Sequence, residues 1–414
     1  MMGTLLLFWL VVICVLNITD SFKPSITQRS QDKLLMSSSR FPDLEKTLRR
    51  EYASFFSPME RRFYTEDVAF VDPMTSFTGI DKYQSNVDML GGRTTLGKLL
   101  FSDASIVLHN IKDLNEDQIQ TRWTLQVDIK FLPWRPRAKF TGVSVYTVRL
   151  GSDQEQVVKQ EDYWDSVNLK GGKYRPVGFL DGLSDFVGQI NSNSNDGAEM
   201  AAPELPYELL RRHPMYEVKR YPHALVAQTK YSQRPEGYDR LGSYAGGSNE
   251  QAERVAFYTP TLMTIRDIGD GESSGKREKV MTWPLKFALP GKSLPAASTL
   301  PEPTINNVDL FDTSLAQQTS TSTGDDNDDS DRRRNSPLGK TYAVLRFERA
   351  ATEAVCRGFA RELLRDITAD GLVPVPRQAT PEGDIIVGQF DALFSLNKRR
   401  NEIWIELESH DWES

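Results

Sequence analysis

The chain has 414 residues, enough for two or three domains at roughly 150 residues each. Lys and Arg total 50 against 57 Asp and Glu, a net charge of -7, so the basic excess that a phosphate-binding surface needs is missing and nucleic acid is not an expected partner. A mean hydropathy of -0.46 excludes a multi-span membrane protein. Cys14 and Cys356 are the only cysteines, too few for a disulfide framework or a cysteine zinc site. His109, His213, His223 and His410 leave little material for a histidine-rich metal site.

Residues 5–16 are twelve consecutive apolar residues. That is short of the roughly 20 a membrane-spanning helix needs and is the length of a signal-peptide core. Thr19 and Ser21 precede Phe22, which places a cut after Ser21 and makes residues 1–21 a signal peptide. Residues 22–40 hold Lys23, Arg29, Lys33 and Arg40 against Asp32 alone, and they are serine-rich, a transit-like composition. The two segments together resemble the bipartite plastid-targeting leader of algae with secondary plastids. The resemblance implies a plastid (chloroplast) location, with secretion as the alternative.

A first block spans residues 41–190. Leu44, Leu48, Tyr52 and Phe55 recur at helical spacing and predict a helix over 44–56. Pro58 opens a second short helix carrying Phe63 and Tyr64, and a strand at 68–71 stops at Asp72-Pro73. Gly79-Ile80 begins a further helix, and strands follow at 104–111, 118–131, 138–150 and 156–167. Trp123, Leu125, Val127, Ile129 and Phe131 alternate with polar residues, the mark of a sheet with one buried face. Helices followed by a curved antiparallel sheet make an α+β plan.

Phe63-Tyr64, Val71-Asp72-Pro73, Gly79-Ile80, the Trp123 strand and the closing Asp162-Tyr163-Trp164-Asp165 resemble the nuclear-transport-factor-like superfamily, which includes SnoaL and ketosteroid isomerase. The resemblance implies a cone-shaped, helix-plus-curved-sheet domain. The block also looks like the uncharacterised domain that precedes SOUL domains in some plastid proteins. Enzymes of the superfamily use a carboxylate in the cone, sometimes with a tyrosine, which implicates Asp72, Asp128 and Tyr64. A buried carboxylate has a raised pKa and moves protons near neutrality. The competing reading has Asp72 capping a turn before Pro73, and Asp128 out of phase with Trp123 and Val127 on the solvent side.

Residues 191–206 are small and polar with Pro203 and Pro206, a linker. A second block runs from 207 to 414. Within it, residues 312–336 cannot bury enough apolar surface to offset their ordering entropy and read as a disordered acidic loop. Its Asp325, Asp326, Asp328, Asp329 and Asp331 lack the spacing of an EF-hand. Val355, Phe359, Leu363 and Ile367 predict an amphipathic helix over 351–370, ended by Gly371. Ile403, Ile405 and Leu407 alternate with Glu402, Glu406 and Glu408, a strand with one wet face.

Several dispersed motifs identify this block. They are Tyr216-Glu217-Val218-Lys219-Arg220-Tyr221-Pro222, Leu241-Gly242-Ser243-Tyr244-Ala245-Gly246-Gly247, Met281-Thr282-Trp283-Pro284-Leu285, Leu300-Pro301 and Arg399-Arg400-Asn401-Glu402-Ile403-Trp404. In this order they resemble the SOUL haem-binding family. That implies a distorted antiparallel β-barrel flanked by two helices, which binds haem or other tetrapyrroles reversibly. No Cys-x-x-Cys-His occurs, which excludes covalent c-type haem.

By resemblance, the macrocycle lies against the first helix of the block and a neighbouring strand. This implicates Tyr238, Leu241, Gly242, Ala245 and Met281, with Arg240, Lys219 and Arg220 as cations for propionates. Core packing for Leu241 and Met281, and a solvated strand face for Arg220, are the competing readings. The family's ligating histidine directly precedes the tyrosine that is Tyr221 here, and Arg220 occupies that place, so no metal ligand is expected. His223 and His213 are the remaining candidates. The expected function is non-catalytic carrying or buffering of a tetrapyrrole in the plastid. The alternatives are a carrier of a carotenoid, quinone or lipid, in peripheral contact with thylakoids or plastid lipid droplets, and an isomerase- or hydrolase-like enzyme in the first block.

Overall fold

The computed structural model describes residues 39–151, 154–192, 203–267, 277–286, 300–313, 339–390, 399–408 and 412. The expected leader lies outside the described residues except for its last two positions, and the expected acidic loop except for its first two. The chain divides into two compact units, with a boundary between Gly197 and Ala198. Residues 193–202 of the expected linker are also outside the described set; at its ends, Ser192 closes a helix and Glu204 bridges to Thr259.

In the first unit, helix α1 (Pro42–Ala53) starts at a proline and has no side-chain cap of its own. Glu155 supplies the missing acceptor by taking the Leu44 N–H at 2.7 Å. The expected second helix is a single 3-10 turn (Arg61–Phe63), and Tyr64 already belongs to strand β1 (Tyr64–Val71). Strand β2 (Ser76–Thr78), helix α2 (Ile80–Leu90) and helix α3 (Thr95–Leu100) follow. Four long strands then form a meander: β3 (Phe101–Asp113), β4 (Gln118–Ile129), β5 (Arg137–Leu150) and β6 (Glu155–Trp164). Short β7 (Leu169–Lys170) and β8 (Lys173–Tyr174) pair with each other, and helix α4 (Phe179–Ser192) ends the run.

The six-stranded sheet has the order β2-β1-β6-β5-β4-β3. Its β1–β6 pair is parallel, which corrects the expectation of a wholly antiparallel sheet: β1 is separated from β6 by the whole meander and enters from its far side. Register shifts in β1, β3 and at Thr147/Val148 bend the sheet. Helix α1 buries Leu44, Leu48 and Tyr52 against it, with Trp123, Ile119 and Tyr146 in the same core. Gly142 is required there, because a Cβ would lie 2.1 Å from the Tyr163 carbonyl and 3.3 Å from the Trp123 ring.

The second unit is built on a nine-stranded sheet. It comprises β9 (Glu208–Arg212), β10 (Glu217–Arg220), β11 (Leu225–Lys230), β12 (Thr261–Asp267), β13 (Arg277–Pro284), β14 (Asp309–Asp312), β15 (Thr341–Phe347), β16 (Ile385–Gln389) and β17 (Asn401–Glu406). The order β14-β11-β13-β12-β16-β17-β15-β10-β9 has β14 and β9 as edges. Among the described residues the sheet is therefore not closed, a correction to the expected barrel. All of its neighbouring strands pair antiparallel.

Helix α5 (Arg234–Ala245) packs on β11 and β13, and helix α6 (Glu353–Ala369) on β15, β16 and β17. Helix α6 is capped by Thr352, and Gly371 follows it at φ +76. Its fully buried stripe is Cys356, Leu363 and Ile367, while Phe359 stacks on Phe347 at 4.6 Å. On the other sheet face lies an aromatic core of Tyr221, Tyr258, Phe311, Tyr342 and Trp404.

Candidate functional site

In the second unit, the first turn of α5 is fixed by Glu236, whose carboxylate accepts the Ser232 N–H at 2.8 Å. Leu241 is fully buried and Met281 equally so, and Met281 packs where a side chain at Gly237 would be, with Cε 2.9 Å from that position. Both are core residues, so they support the helix and do not line a groove. A corrected candidate surface lies one step outward. Gly242 faces out, and the place its Cβ would take is 4.0 Å from Cη2 of Trp283. Phe257 stacks on Trp283 at 4.2 Å and Tyr238 approaches it at 6.2 Å. Tyr238, Ala245 and Phe257 are half-buried, and Trp283 beneath them is buried, 7% exposed.

The result is an aromatic floor whose cover is thinned by a glycine. Offset stacking on such rings contributes about 0.5–1.5 kcal/mol per pair beyond area burial. Trp283 is two residues beyond Met281 on the same strand face, so the period of two was its signal. Phe257 lies outside any regular element and had none.

The expected cations are committed elsewhere. Lys219 is 2% exposed and belongs to the inner face, 3.0 Å from Glu217 and 3.3 Å from Glu402. This corrects its reading as a propionate partner. Arg220 pairs with Glu208 at 3.1 Å. Arg240 holds Glu236 at 2.5 Å and donates to the Lys230 carbonyl at 2.7 Å. The histidines are also fixed: His213 stacks on Tyr216 at 4.7 Å and lies 3.6 Å from Asp370, and His223 Nδ1 is 3.3 Å from Thr313 Oγ1. Neither has a described contact with the floor.

The face of β17 expected to be wet is buried. Glu402 is 1% exposed, between Lys219 and Arg400 (3.0 Å), and it also accepts the Trp404 Nε1–H at 3.0 Å. Burial pushes Glu402 up, but Lys219 and Arg400 bring its carboxyl below the ordinary value. Arg400 in turn makes a two-pronged contact with Glu204, both at 2.9 Å.

In the first unit the strand register aligns a polar row across the inner face. Thr121 faces Ser144, and Ser144 faces Asp162. Asp72 follows Val71, which pairs with Glu161, so it stands beside Asp162. Tyr52 reaches Thr121 at 2.8 Å and Tyr146 at 3.1 Å, and Trp123 donates to Ser144 at 2.8 Å. Gln160 donates to Asp162 at 2.8 Å and accepts from Tyr83.

Asp72 and Asp162 are half-buried residues, and the surrounding protein desolvates both carboxyls. Burial and then the Asp162 charge push Asp72 up to about 7, against its two backbone hydrogen bonds, and burial pushes Asp162 up to about 6. Carboxylates in this range can exchange protons near neutrality. Of the other candidates, Tyr64 donates to the buried Glu51 at 2.7 Å. Asp128 pairs with Arg137 outside the row, and hydrogen bonding from Arg137 lowers it. Asp162 was missed as a site residue, although its i−2 spacing from Trp164 places it on the inner face.

The second unit is thus a helix-flanked antiparallel sheet with a cluster of aromatic rings beside an exposed glycine. Residues 202–406 match the family described as SOUL heme-binding protein, and residues 42–158 match the uncharacterized conserved protein family DUF2358. The second unit belongs to the SOUL family, and a DUF2358 domain precedes it. No curated protein matches the sequence.

Among solved structures, an NTF2-like protein of unknown function from Exiguobacterium sp. 255-15 is similar at 18% identity, covering 29% of this chain and 98% of its own, with a TM-score of 0.22. A putative scytalone dehydratase from Novosphingobium aromaticivorans is 19% identical over 29% of this chain and 80% of its own, with a TM-score of 0.23. The EcmrR C-terminal domain is 8% identical over 49% of this chain and 99% of its own, with a TM-score of 0.29.

Proposed function

We propose that the second unit binds haem or another tetrapyrrole reversibly and without a covalent bond, and that the protein carries or buffers this ligand in the plastid and is not an enzyme. The observation that carries the reading is the floor of Tyr238, Trp283 and Phe257, opened by Gly242. It places apolar aromatic side chains beside an exposed glycine, within a domain of a haem-binding family. Iron contributes little, because His213 and His223 are held by Asp370, Tyr216 and Thr313.

Titration of the protein with hemin and with metal-free protoporphyrin, followed in the Soret band, tests this. Both bind in about the micromolar range. Gly242→Leu fills the gap over Trp283 and weakens both about equally. Binding of a carotenoid or quinone in place of either porphyrin overturns the reading. The leader composition supports the plastid location, and a reporter fused to residues 1–45 tests it: export to the medium overturns it.

A further inference from the structure

The carboxylate of Asp72 and the turn that follows it form one body. Its Oδ1 accepts the N–H of Met74 at 2.7 Å and of Thr75 at 2.5 Å, and its own N–H donates to the Thr75 carbonyl at 2.8 Å. Helix α4 rests on this turn through Gly182. A Cβ there would lie 2.9 Å from both Met74 Cγ and the Pro73 carbonyl oxygen, so backbone meets backbone. One turn further on, Phe186 stacks on Phe140, 6.1 Å away, and Phe140 lies 4.6 Å from Trp164. Gln189 then accepts the Lys139 N–H at 2.8 Å. Helix α4 therefore reaches from the turn to the end of the inner face that holds Asp162 and Trp164.

The charge environment of Asp72 is one-sided. Strand β6 presents Asp162, with Gln160 beside it. Strands β4 and β5 present Thr121, Ser144 and Tyr146, and α1 and α2 present Glu51, Tyr52 and Tyr83. The charged residues of α4 are Asp181, which accepts the Gly178 N–H, and Asp185, which accepts from Gln189. None of these groups is a cation.

We propose that Asp72 and Asp162 carry one proton between them, and that this proton latches α4 over the inner face of the first unit. While the proton is present, one negative charge lies in the row. When it leaves for solvent, two anions stand side by side in a water-poor site. Asp162 is held in the β5–β6 ladder, opposite Ser144. Asp72 lies beyond the last residue of β1, so it is the partner that yields. Its turn moves with it and draws Pro73 and Met74 away from Gly182. The upward displacement of both carboxyls places the release near neutral pH.

Hydrogen exchange of the full chain from about pH 5.5 to about pH 8.5, corrected for the intrinsic rate, tests the latch. Peptides spanning residues 179–192 lose protection about tenfold across this range in the wild type. Asp72→Asn keeps an oxygen for the Met74 and Thr75 amides but cannot ionise, so protection stays high throughout. Asp162→Asn does the same, because a lone anion at Asp72 has nothing to repel it. At about pH 5.5 both variants match the wild-type circular dichroism and neither has a lower urea midpoint, which separates the latch from a folding defect. A flat wild-type profile overturns the proposal, as does a pH-dependent loss that survives in either variant.

Discussion

Both units bury carboxylates on the inner face of a sheet, and they treat them in opposite ways. Glu402 of the second unit is flanked by Lys219 and Arg400, and its carboxyl lies below the ordinary range. Asp72 of the first unit has Asp162 and two backbone amides beside it, Asp162 has Gln160 and the Ser144 hydroxyl, and both carboxyls are raised. Burial pushes in the same direction in both places; the neighbouring cations decide the outcome. A compensated carboxylate is a structural element that stays ionised. An uncompensated pair is a reservoir of one exchangeable proton.

The contrast breaks most severely at Lys219. Lys219→Met removes one of the cations that hold Glu402, and breaking a buried pair costs about 3 kcal/mol or more. The urea midpoint of the second unit reads this loss. Removal of both members, with Lys219→Met and Glu402→Met together, costs less than the single change, because no orphaned charge remains.

The two units should also respond to pH with opposite signs. For Asp72, the folded carboxyl near 7 lies above the ordinary 3.8. The stability it contributes is complete below about 3.8 and is lost as pH rises through about 7. Asp72→Asn removes this slope. Glu402 is depressed, so its contribution is present above 4.5 and is lost as pH falls below it. Thermal melts of the full chain at acid and neutral pH therefore shift the two transitions apart. Parallel shifts would remove the distinction between the units.

Smaller effects sharpen the ligand reading. Gly242→Leu weakens hemin binding about tenfold, or about 1.4 kcal/mol. Leucine is also the better helix former, so the helix gains up to about 1 kcal/mol and the loss is not one of folding. His223→Ala and His213→Ala change affinity by less than about twofold. A large loss of the Soret shift in either would make the protein a histidine-ligated haem binder.

Much of the framework was legible from spacing. The four long strands of the first unit and helix α6 of the second follow their apolar periods closely. Helix α4 was not read, because Gly182 and Gly188 dilute its apolar stripe. The 3-10 turn at Arg61 was expected as a helix, since Pro58 and two aromatics imitate a helix start. The largest misreading concerned β17. Alternating Glu402 and Glu406 predict a wet face, but alternation reports polarity and not exposure. The cation that makes burial tolerable lies 183 residues away in sequence. The acid pair was hidden for the same reason, because the register of β1 against β6 is a tertiary fact. Trp283 was within reach of a period-two argument from Met281; Phe257 was not.

The parallel pairing of β1 with β6 also dictates how the first unit is assembled. Strands β3 to β6 form a run of neighbours joined in sequence order, and such hairpins close over short loops. Strand β1 precedes them all yet pairs only with the last, so its seam closes one of the longest loops in the unit. Asp72 meets Asp162 across that seam. Loop-closure entropy thus favours forming the apolar meander before the seam that brings the two uncompensated acids together.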